Sequence, residues 1–180
     1  MPKLVEMEKA WRKSLHSIFR LEALPIYRVP EDLIIFEKWK KGEPVIDGGF
    51  QEWFKFLEET KKRGVTMQRV RIVPLPLSDY MKYEIDVWKH STKHGEQFLF
   101  LESDSYKELV KQFNFKPKDF WMFDDKILII FHYDQRGDFL REEPIQDKQI
   151  IKQYADLKKK LLEKAIPMKQ FLEKRSTAKN

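Results

Sequence analysis

The stretch D-F-W-M-F-D-D-K-I-L-I-I-F-H-Y-D-Q-R-G-D, residues 119–138, decides the fold class of this chain. Two runs rich in β-branched and aromatic residues flank the acidic pair Asp124-Asp125, and further turn-forming residues close the stretch. This pattern predicts the central hairpin of an antiparallel sheet, with one arm at 119–124 and the other at 126–133.

The remaining sequence predicts more strands and a set of helices around that hairpin. The additional strands are expected at residues 68–74, 97–102 and 139–143, the last of them stopped by Pro144. Apolar residues recur every three or four positions in the predicted helices, which cover residues 6–20, 30–41, 50–63, 79–92, 104–113 and 147–166. The segment 79–92 also alternates like a strand, so that alternative stays open. Helices, then strands, then a helix indicate an α+β fold with a central antiparallel sheet of about four to five strands.

The length of 180 residues predicts one domain. The apolar stripe of the long C-terminal helix ends at Pro167, so we expect a single α+β domain over 1–167 and a basic, frayed tail over 168–180. The net charge of +6 lies entirely in residues 147–180, which hold ten basic and four acidic residues. Only this C-terminal arm should attract polyanions, and few phosphate contacts make weak, nonspecific nucleic-acid binding the expectation.

The composition excludes several classes of site. The chain contains no cysteine, which rules out disulfides, thiolate metal sites and cysteine nucleophiles. No run approaches the roughly 20 apolar residues of a membrane span, so we expect no membrane partner and a cytoplasmic location. No glycine-rich phosphate loop or zinc-protease motif occurs, which predicts neither a cofactor nor a metal of the common types.

Acidic residues in the hairpin are the first candidate site. Asp119, Asp124 and Asp125 could together bind Mg²⁺ or Mn²⁺, since hard carboxylate oxygens suit these ions, or one could act as a general base. Adjacent aspartates in a turn more often bond their own backbone, and we favour that structural interpretation. His132, near the end of the second arm, is a further candidate general base, with a half-buried structural histidine as the more common outcome.

Two arginines on one strand face are the second candidate site. Arg69 and Arg71 alternate with Val70 and Ile72, so both guanidinium groups point to the same side and could hold an anion. Pairing with Asp119 or Glu84 is the alternative, and the pattern favours it. His90 and His94 are four residues apart, but with only Glu96 nearby they do not make a convincing zinc site.

Three segments carry a resemblance to a known family: F-R-L-E at 19–22, R-V-R-I-V-P-L-P-L-S-D-Y at 69–80 and F-W-M-F-D-D at 120–125. Together they resemble a bacterial family defined as a domain of unknown function, and the resemblance covers nearly the whole chain. Members are often encoded beside helix-turn-helix regulators, which implies a regulatory or defence-related context. The polar positions that match are Arg20, Glu22, Arg69, Arg71, Ser78, Asp79, Tyr80, Asp119, Asp124 and Asp125.

These observations lead to one main functional hypothesis and two alternatives. The first is a non-enzymatic binding or regulatory domain that recognises a protein partner or a small anionic ligand, with Arg69, Arg71 and Tyr80 around the ligand. The second is a metal-dependent enzyme acting on phosphodiesters or nucleotides through the aspartates. The third is nucleic-acid binding through the C-terminal arm.

Overall fold

A mixed sheet organises the computed structural model, which describes residues 4–45 and 50–177. In this part of the chain the strands are β1 (Ser17–Glu22), β2 (Thr66–Val73), β3 (Glu96–Glu102), β4 (Phe120–Phe123), β5 (Ile127–Tyr133), β6 (Phe139–Ile145) and β7 (Ile166–Pro167). The helices are α1 (Val5–Lys13), α2 (Pro30–Lys40), α3 (Gln51–Lys62), α4 (Asp79–Ser91), α5 (Ser103–Val110), α6 (Lys148–Lys164) and α7 (Met168–Thr177). Across the sheet the strand order is β6-β5-β4-β1-β2-β3-β7.

The predicted hairpin is confirmed as the antiparallel pair β4 and β5, and β6 pairs antiparallel with β5. Asp124 and Asp125 have φ angles of 52° and 54°, and the Lys126 N–H donates to the Phe123 carbonyl over 3.0 Å. Positive φ at both central positions makes a turn whose twist matches that of the strands it joins. Two aspartates, which tolerate this conformation better than most residues, therefore fix the hairpin register.

The sheet is larger than predicted, and two of its six strand pairings are parallel. Seven strands in the described residues replace the expected four to five, and β1, β2 and β3 run parallel. The helices between these strands cause this arrangement, because parallel neighbours need a crossover connection of a dozen or more residues. The fold is thus α+β as predicted, but its sheet is mixed rather than antiparallel.

The predicted helix 6–20 is wrong in its second half. Helix α1 ends at Lys13, and the chain then forms β1, which pairs parallel with β2 and antiparallel with β4. Ile18 and Phe19 are both buried, but they belong to apolar clusters on opposite faces of the sheet. Adjacent apolar residues fit a helix stripe and a strand buried on both faces equally well, so the sequence pattern could not separate them.

Helices cover both faces of the sheet. Helices α5 and α6 pack on one face, where Leu109 and Leu157 meet Phe19 and Phe120. On the other face, α1 and α3 surround Trp11, while α2, α4 and α7 form a separate apolar cluster. Between those last two clusters the sheet presents charged side chains of β1, β2 and β3, which are described with the candidate site.

The C-terminal helix α6 agrees with the prediction, but the segment that follows it does not. Asp147 caps α6, since its carboxylate accepts the N–H groups of Gln149 and Ile150 over 2.7 and 3.2 Å. Residues 168–177 form α7 rather than a frayed tail, and Met168 and Phe171 are buried. The helix forms because its apolar side chains cover the sheet beyond β3.

The structure decides between the helix and strand alternatives for residues 79–92, and it extends the last predicted strand. Residues 79–91 are helical, and the Ser78 side chain caps α4 by accepting the Met81 N–H over 3.2 Å. The prediction that Pro144 stops the last predicted strand is wrong: β6 continues through Pro144 to Ile145, and it is an edge strand, where proline is tolerated. No helix in the ranges 4–45 and 50–177 has the length and apolarity to cross a bilayer.

Candidate functional site

The three candidate aspartates of the hairpin lie apart and have different partners. Asp124 accepts the backbone N–H groups of Leu15, His16 and Ser17, each over 2.8 Å, which ties the turn to the start of β1. Asp125 pairs with the Lys158 ammonium of α6 over 2.6 Å. Asp119 is buried and accepts the Tyr27 hydroxyl and the Ala23 N–H. No group of three or more potential metal ligands occurs in the described part of the chain.

Arg69 is enclosed in ion pairs inside the protein. Its Nη1 lies 3.0 Å from Glu22 Oε1, and its Nη2 lies 2.6 Å from Glu96 Oε1. The side chain is 9% exposed, and its guanidinium carbon lies 5.2 Å from the centroid of the Phe98 ring, within the limit of about 6 Å for a cation–π contact. Arg69 therefore has no open side toward a solvent-borne anion.

Arg71 is fully buried and donates to two kinds of acceptor, a carboxylate and backbone carbonyls. Its Nε and Nη2 donate to Glu84 Oε2 of α4 over 3.2 and 2.9 Å, so the predicted alternative of pairing with Glu84 describes the contact. The same guanidinium also donates to the carbonyls of Glu22, Leu24 and Pro25, in the connection that follows β1. Arg71 thus joins α4 to that connection.

Tyr80 is also part of the interior. It is 5% exposed, and its hydroxyl donates to the Tyr27 carbonyl over 3.1 Å. It consequently ties α4 to the same connection after β1 as Arg71 does. The three residues expected around an anion are brought near one another, but as buried structural contacts.

Arg69 and Arg71 belong to a cluster of six charged side chains that we term the arginine–carboxylate network: Arg20, Glu22, Arg69, Arg71, Glu84 and Glu96. Arg20 completes it, with its Nη2 2.7 Å from Glu22 Oε1 and its guanidinium 4.9 Å from the centroid of the Trp121 ring. The network holds three positive and three negative groups. Such balance is what a buried cluster of charges requires, because an unpaired buried charge is very costly.

Burial raises the pKa values of the carboxylates in this network, and the neighbouring arginines lower them. Burial alone would raise the pKa of Glu22, but three neighbouring guanidinium groups outweigh it and hold that pKa below its ordinary value. Burial raises the pKa of Glu84 and of Glu96, and the arginine beside each offsets this only in part. Burial also raises the pKa of Asp119 to about 6, although hydrogen bonds from Tyr27 and Ala23 oppose the shift.

The candidate histidines do not converge on a site. His132 lies on the face of the sheet opposite to the arginine–carboxylate network. Its Nε2 is 2.5 Å from Glu143 Oε2, and its Nδ1 is 3.3 Å from the Lys118 ammonium. His94 stacks on Phe54 and contacts Glu58 over 2.8 Å, while Glu96 belongs to the buried network. These histidines hold surface elements together rather than a metal.

A cavity of about 360 Å³ opens at the carboxyl ends of the three parallel strands, and we term it the strand-end cavity. Its lining residues are Ala23, Pro25, Ile72, Pro74, Leu75, Glu102, Ser103, Asp104 and Lys107. The connections after β1 and β2 give it apolar walls, and the start of α5 gives it a polar rim. This is the edge of an open α/β sheet at which ligands bind in general.

The wall after β1 is fixed from behind by the buried polar groups described above. The Ala23 N–H donates to Asp119, the Leu24 N–H donates to the Tyr27 hydroxyl over 3.2 Å, and Arg71 donates to two carbonyls of the same connection. Every one of these bonds constrains backbone that no helix or sheet ladder supports. The candidate polar residues therefore position the cavity wall and do not line the cavity.

A second hollow of about 420 Å³ lies on the outer side of α2 and α4, between Trp39, Pro44 and His90. Its lining includes Val45, the last described residue before the gap at 46–49. The strand-end cavity is smaller, but it is enclosed entirely by described residues and joined to the buried network, so it is the stronger candidate.

The strand-end cavity could not be found from the sequence. Pro25 and Pro74 stand just after the ends of β1 and β2 and mark both transitions from strand to loop. The signal is interpretable only when β1 is known to be a strand parallel to β2. Tyr27, whose hydroxyl bonds both Asp119 and the Leu24 N–H, was missed for the same reason.

Comparison with known proteins places the chain in a family. No curated protein matches its sequence. Among solved structures, TrmBL2, an archaeal chromatin protein, matches with 9% identity and a TM-score of 0.47, over 89% of this chain and 49% of that chain. The model of a family described as a domain of unknown function matches residues 5–173. With nearly all of its described residues inside that match, the chain belongs to this family, DUF6879.

Proposed function

We propose that this domain is a non-enzymatic ligand-binding domain with a regulatory role, and that its ligand is a small molecule held in the strand-end cavity. The observation that carries the proposal is the position of that cavity, at the carboxyl ends of β1, β2 and β3. Its volume of about 360 Å³ is within the usual range for small-molecule sites.

The lining indicates the chemistry of the ligand. Five apolar residues form the walls, namely Ala23, Pro25, Ile72, Pro74 and Leu75. The two carboxylates at the rim are already paired, Glu102 with Arg175 over 3.1 Å and Asp104 with Lys107 over 2.8 Å. A largely apolar molecule with one hydrogen-bonding end fits this lining better than the anion expected from Arg69 and Arg71, whose guanidinium groups are enclosed in ion pairs.

Binding is favoured over catalysis by the placement of the titratable groups. A general acid or base must lie within hydrogen-bonding reach of its substrate, and the titratable groups that line the strand-end cavity, Glu102, Asp104 and Lys107, are held in ion pairs. Asp119 and Tyr27 lie behind the wall and bond to each other. A preformed wall with this support suits tight, selective binding, because little ordering is needed when the ligand arrives.

The test fills the cavity with one side chain. Ser103 lines the cavity at the start of α5, and Ser105 lies two residues further along the same helix without lining it. The wild-type protein, Ser103→Trp and Ser105→Trp are each incubated with a deproteinised small-molecule extract of the source cells and examined by native mass spectrometry. We expect the wild type and Ser105→Trp to retain the same small molecule and Ser103→Trp to lose it.

Retention by all three proteins would place the ligand elsewhere, and retention by none would reject small-molecule binding. Circular dichroism of each variant shows whether the fold is intact. If only Ser103→Trp unfolds, Lys107→Trp on the next turn of the cavity rim replaces it in the comparison.

A further inference from the structure

Helix α6 carries a charge excess that the other long helices lack. Its 17 residues include six lysines and two acids. By contrast, helices α1 to α4 together contain ten basic and eleven acidic residues. The six lysines and two acids of α6 give it a net charge of +4, the larger part of the net +6 of the chain, and α6 lies on the face of the sheet opposite to α1–α4.

The lysines of α6 lie on different sides of the helix, and three of them share the outward side. Tyr154, Leu157 and Leu161 are buried against the sheet and fix which side of the helix faces inward. At about 100° per residue, the exposed Lys148, Lys152 and Lys159 fall within about 40° of one another on the outward side. We term these three residues the α6 lysine stripe.

The lysines of the stripe have few ion-pair partners among the described residues, so their positive charge is available to a partner molecule. Lys148 and Lys159 make no ion pair within the described ranges of the chain, and Lys152 pairs only with the exposed Asp156, over 2.7 Å. Exposed pairs of this kind are worth little and exchange readily. Lys158 is different, because it is buried and paired with Asp125, so it belongs to the core and not to the stripe.

Two further lysines extend this basic surface. The loop before β4 packs on the N-terminal half of α6, where the Phe115 and Tyr154 rings lie 5.1 Å apart and the Lys118 N–H donates to the Tyr154 hydroxyl over 3.3 Å. Lys116 and Lys118 are exposed on this loop. They bring two more positive charges to the same side of the molecule.

We propose that the α6 lysine stripe is a docking surface for the phosphate backbone of nucleic acid, independent of the strand-end cavity. Along the helix, Lys148 and Lys152 are separated by about 6 Å and Lys152 and Lys159 by about 10 Å, and duplex DNA presents one phosphate per strand about every 3.4 Å of its axis. The stripe spans about 16 Å and can follow one strand over several phosphates. Contacts from lysine to phosphate carry no sequence information, so the stripe implies binding that does not depend on sequence.

An anionic membrane surface is the less suitable partner. Helices that lie on membranes insert apolar side chains between the lipid head groups. The large apolar residues that are exposed in the described chain are Val5, Leu15, Ile34, Leu75, Ile127 and Leu140. None of them belongs to α6, whose apolar side chains are committed to the sheet.

The experiment compares two triple variants with the same loss of charge. Lys148→Gln/Lys152→Gln/Lys159→Gln removes the stripe, and Lys13→Gln/Lys55→Gln/Lys62→Gln removes three exposed lysines from α1 and α3 on the other face. Binding to a fluorescently labelled duplex of about 20 base pairs is followed by anisotropy between about 50 and 200 mM salt. Circular dichroism verifies that both variants are folded.

We expect the wild type to bind with a steep salt dependence and the control triple to stay within about threefold of it. The stripe triple should bind at least about tenfold more weakly at low salt and flatten the slope of log K against log salt by about 2 to 3. Equal weakening in both triples would mean that net charge alone acts, and an unaffected stripe triple or a wild type that does not bind would overturn the proposal. Equally tight, stripe-dependent binding of poly-L-glutamate would assign the surface to an acidic protein instead.

Discussion

Replacement of Arg71 by methionine tests the structural role of the buried network most directly. Arg71 is fully buried, donates twice to Glu84 and also donates to the carbonyls of Glu22, Leu24 and Pro25. Methionine fills much of the same space but offers no donor. The substitution therefore leaves one buried carboxylate and several backbone carbonyls without partners.

The expected cost is large compared with the stability of a domain. Removing one partner of a buried ion pair costs about 3–5 kcal/mol, because the other charge stays buried and uncompensated. Carbonyls left without a donor add about 1–3 kcal/mol. Since domains of this size have about 5–15 kcal/mol in total, Arg71→Met should lose a large part of its unfolding free energy and unfold at a much lower urea concentration.

The double variant Arg71→Met/Glu84→Met separates the two contributions. With both charges removed, only the carbonyls after β1 lack their donor, and we expect a loss of about 1–3 kcal/mol relative to the wild type. Urea unfolding followed by tryptophan fluorescence gives the three free energies. A single variant within about 1 kcal/mol of the wild type, or a double variant less stable than the single one, would refute this account of Arg71.

Further substitutions test the core, a turn and a buried acid. Trp121 is 3% exposed, so its replacement by alanine should lower the unfolding free energy by about 3–5 kcal/mol, and an unchanged urea midpoint would contradict its burial. Gly137→Ala should be far more damaging than Gly64→Ala, because φ is positive at both but only at Gly137 would the new Cβ lie 2.4 Å from the Ile26 carbonyl; similar melting temperatures would disprove this. Because burial raises the folded-state pKa of Asp119 from 3.8 to about 6, the folded state holds that proton longer, and stability should fall by up to about 3 kcal/mol as pH rises from 4 toward 6. Asp119→Asn should remove this part of the pH dependence, and urea titrations in which both proteins lose the same stability across that range would contradict the assignment.

The hairpin was predictable because its determinants are local. Asp124 and Asp125 sit at the two central positions of a turn that needs positive φ, between runs of residues that favour strands. Helix caps are equally local: Ser78 and Asp147 each precede an apolar helical pattern, and they cap α4 and α6. Such features depend on a few neighbouring residues, so the sequence alone carries the information.

The parallel part of the sheet was not predictable for the opposite reason. Strand β1 is buried on both faces, so it lacks alternation, and its partners β2 and β4 lie far away along the chain. Strand β7 has two residues, too few for any periodicity. The ion pairs show the same limit: the strand pattern put Arg69 and Arg71 on one face, but which carboxylates they meet depends on where α4 and β3 pack.

The buried network and the strand-end cavity are two parts of one arrangement. Apolar side chains of similar volume would often stabilise a domain as well as a buried ion pair does, so stability alone does not account for six charged groups inside this fold. Apolar side chains cannot, however, donate to the carbonyls of Leu24 and Pro25, which no helix or strand satisfies. Only a buried donor with several N–H groups can hold that irregular backbone in place, and Glu84 is then needed to balance its charge. The network thus has the form expected of support for a wall that must keep its shape, and that wall borders the cavity in which we place the ligand.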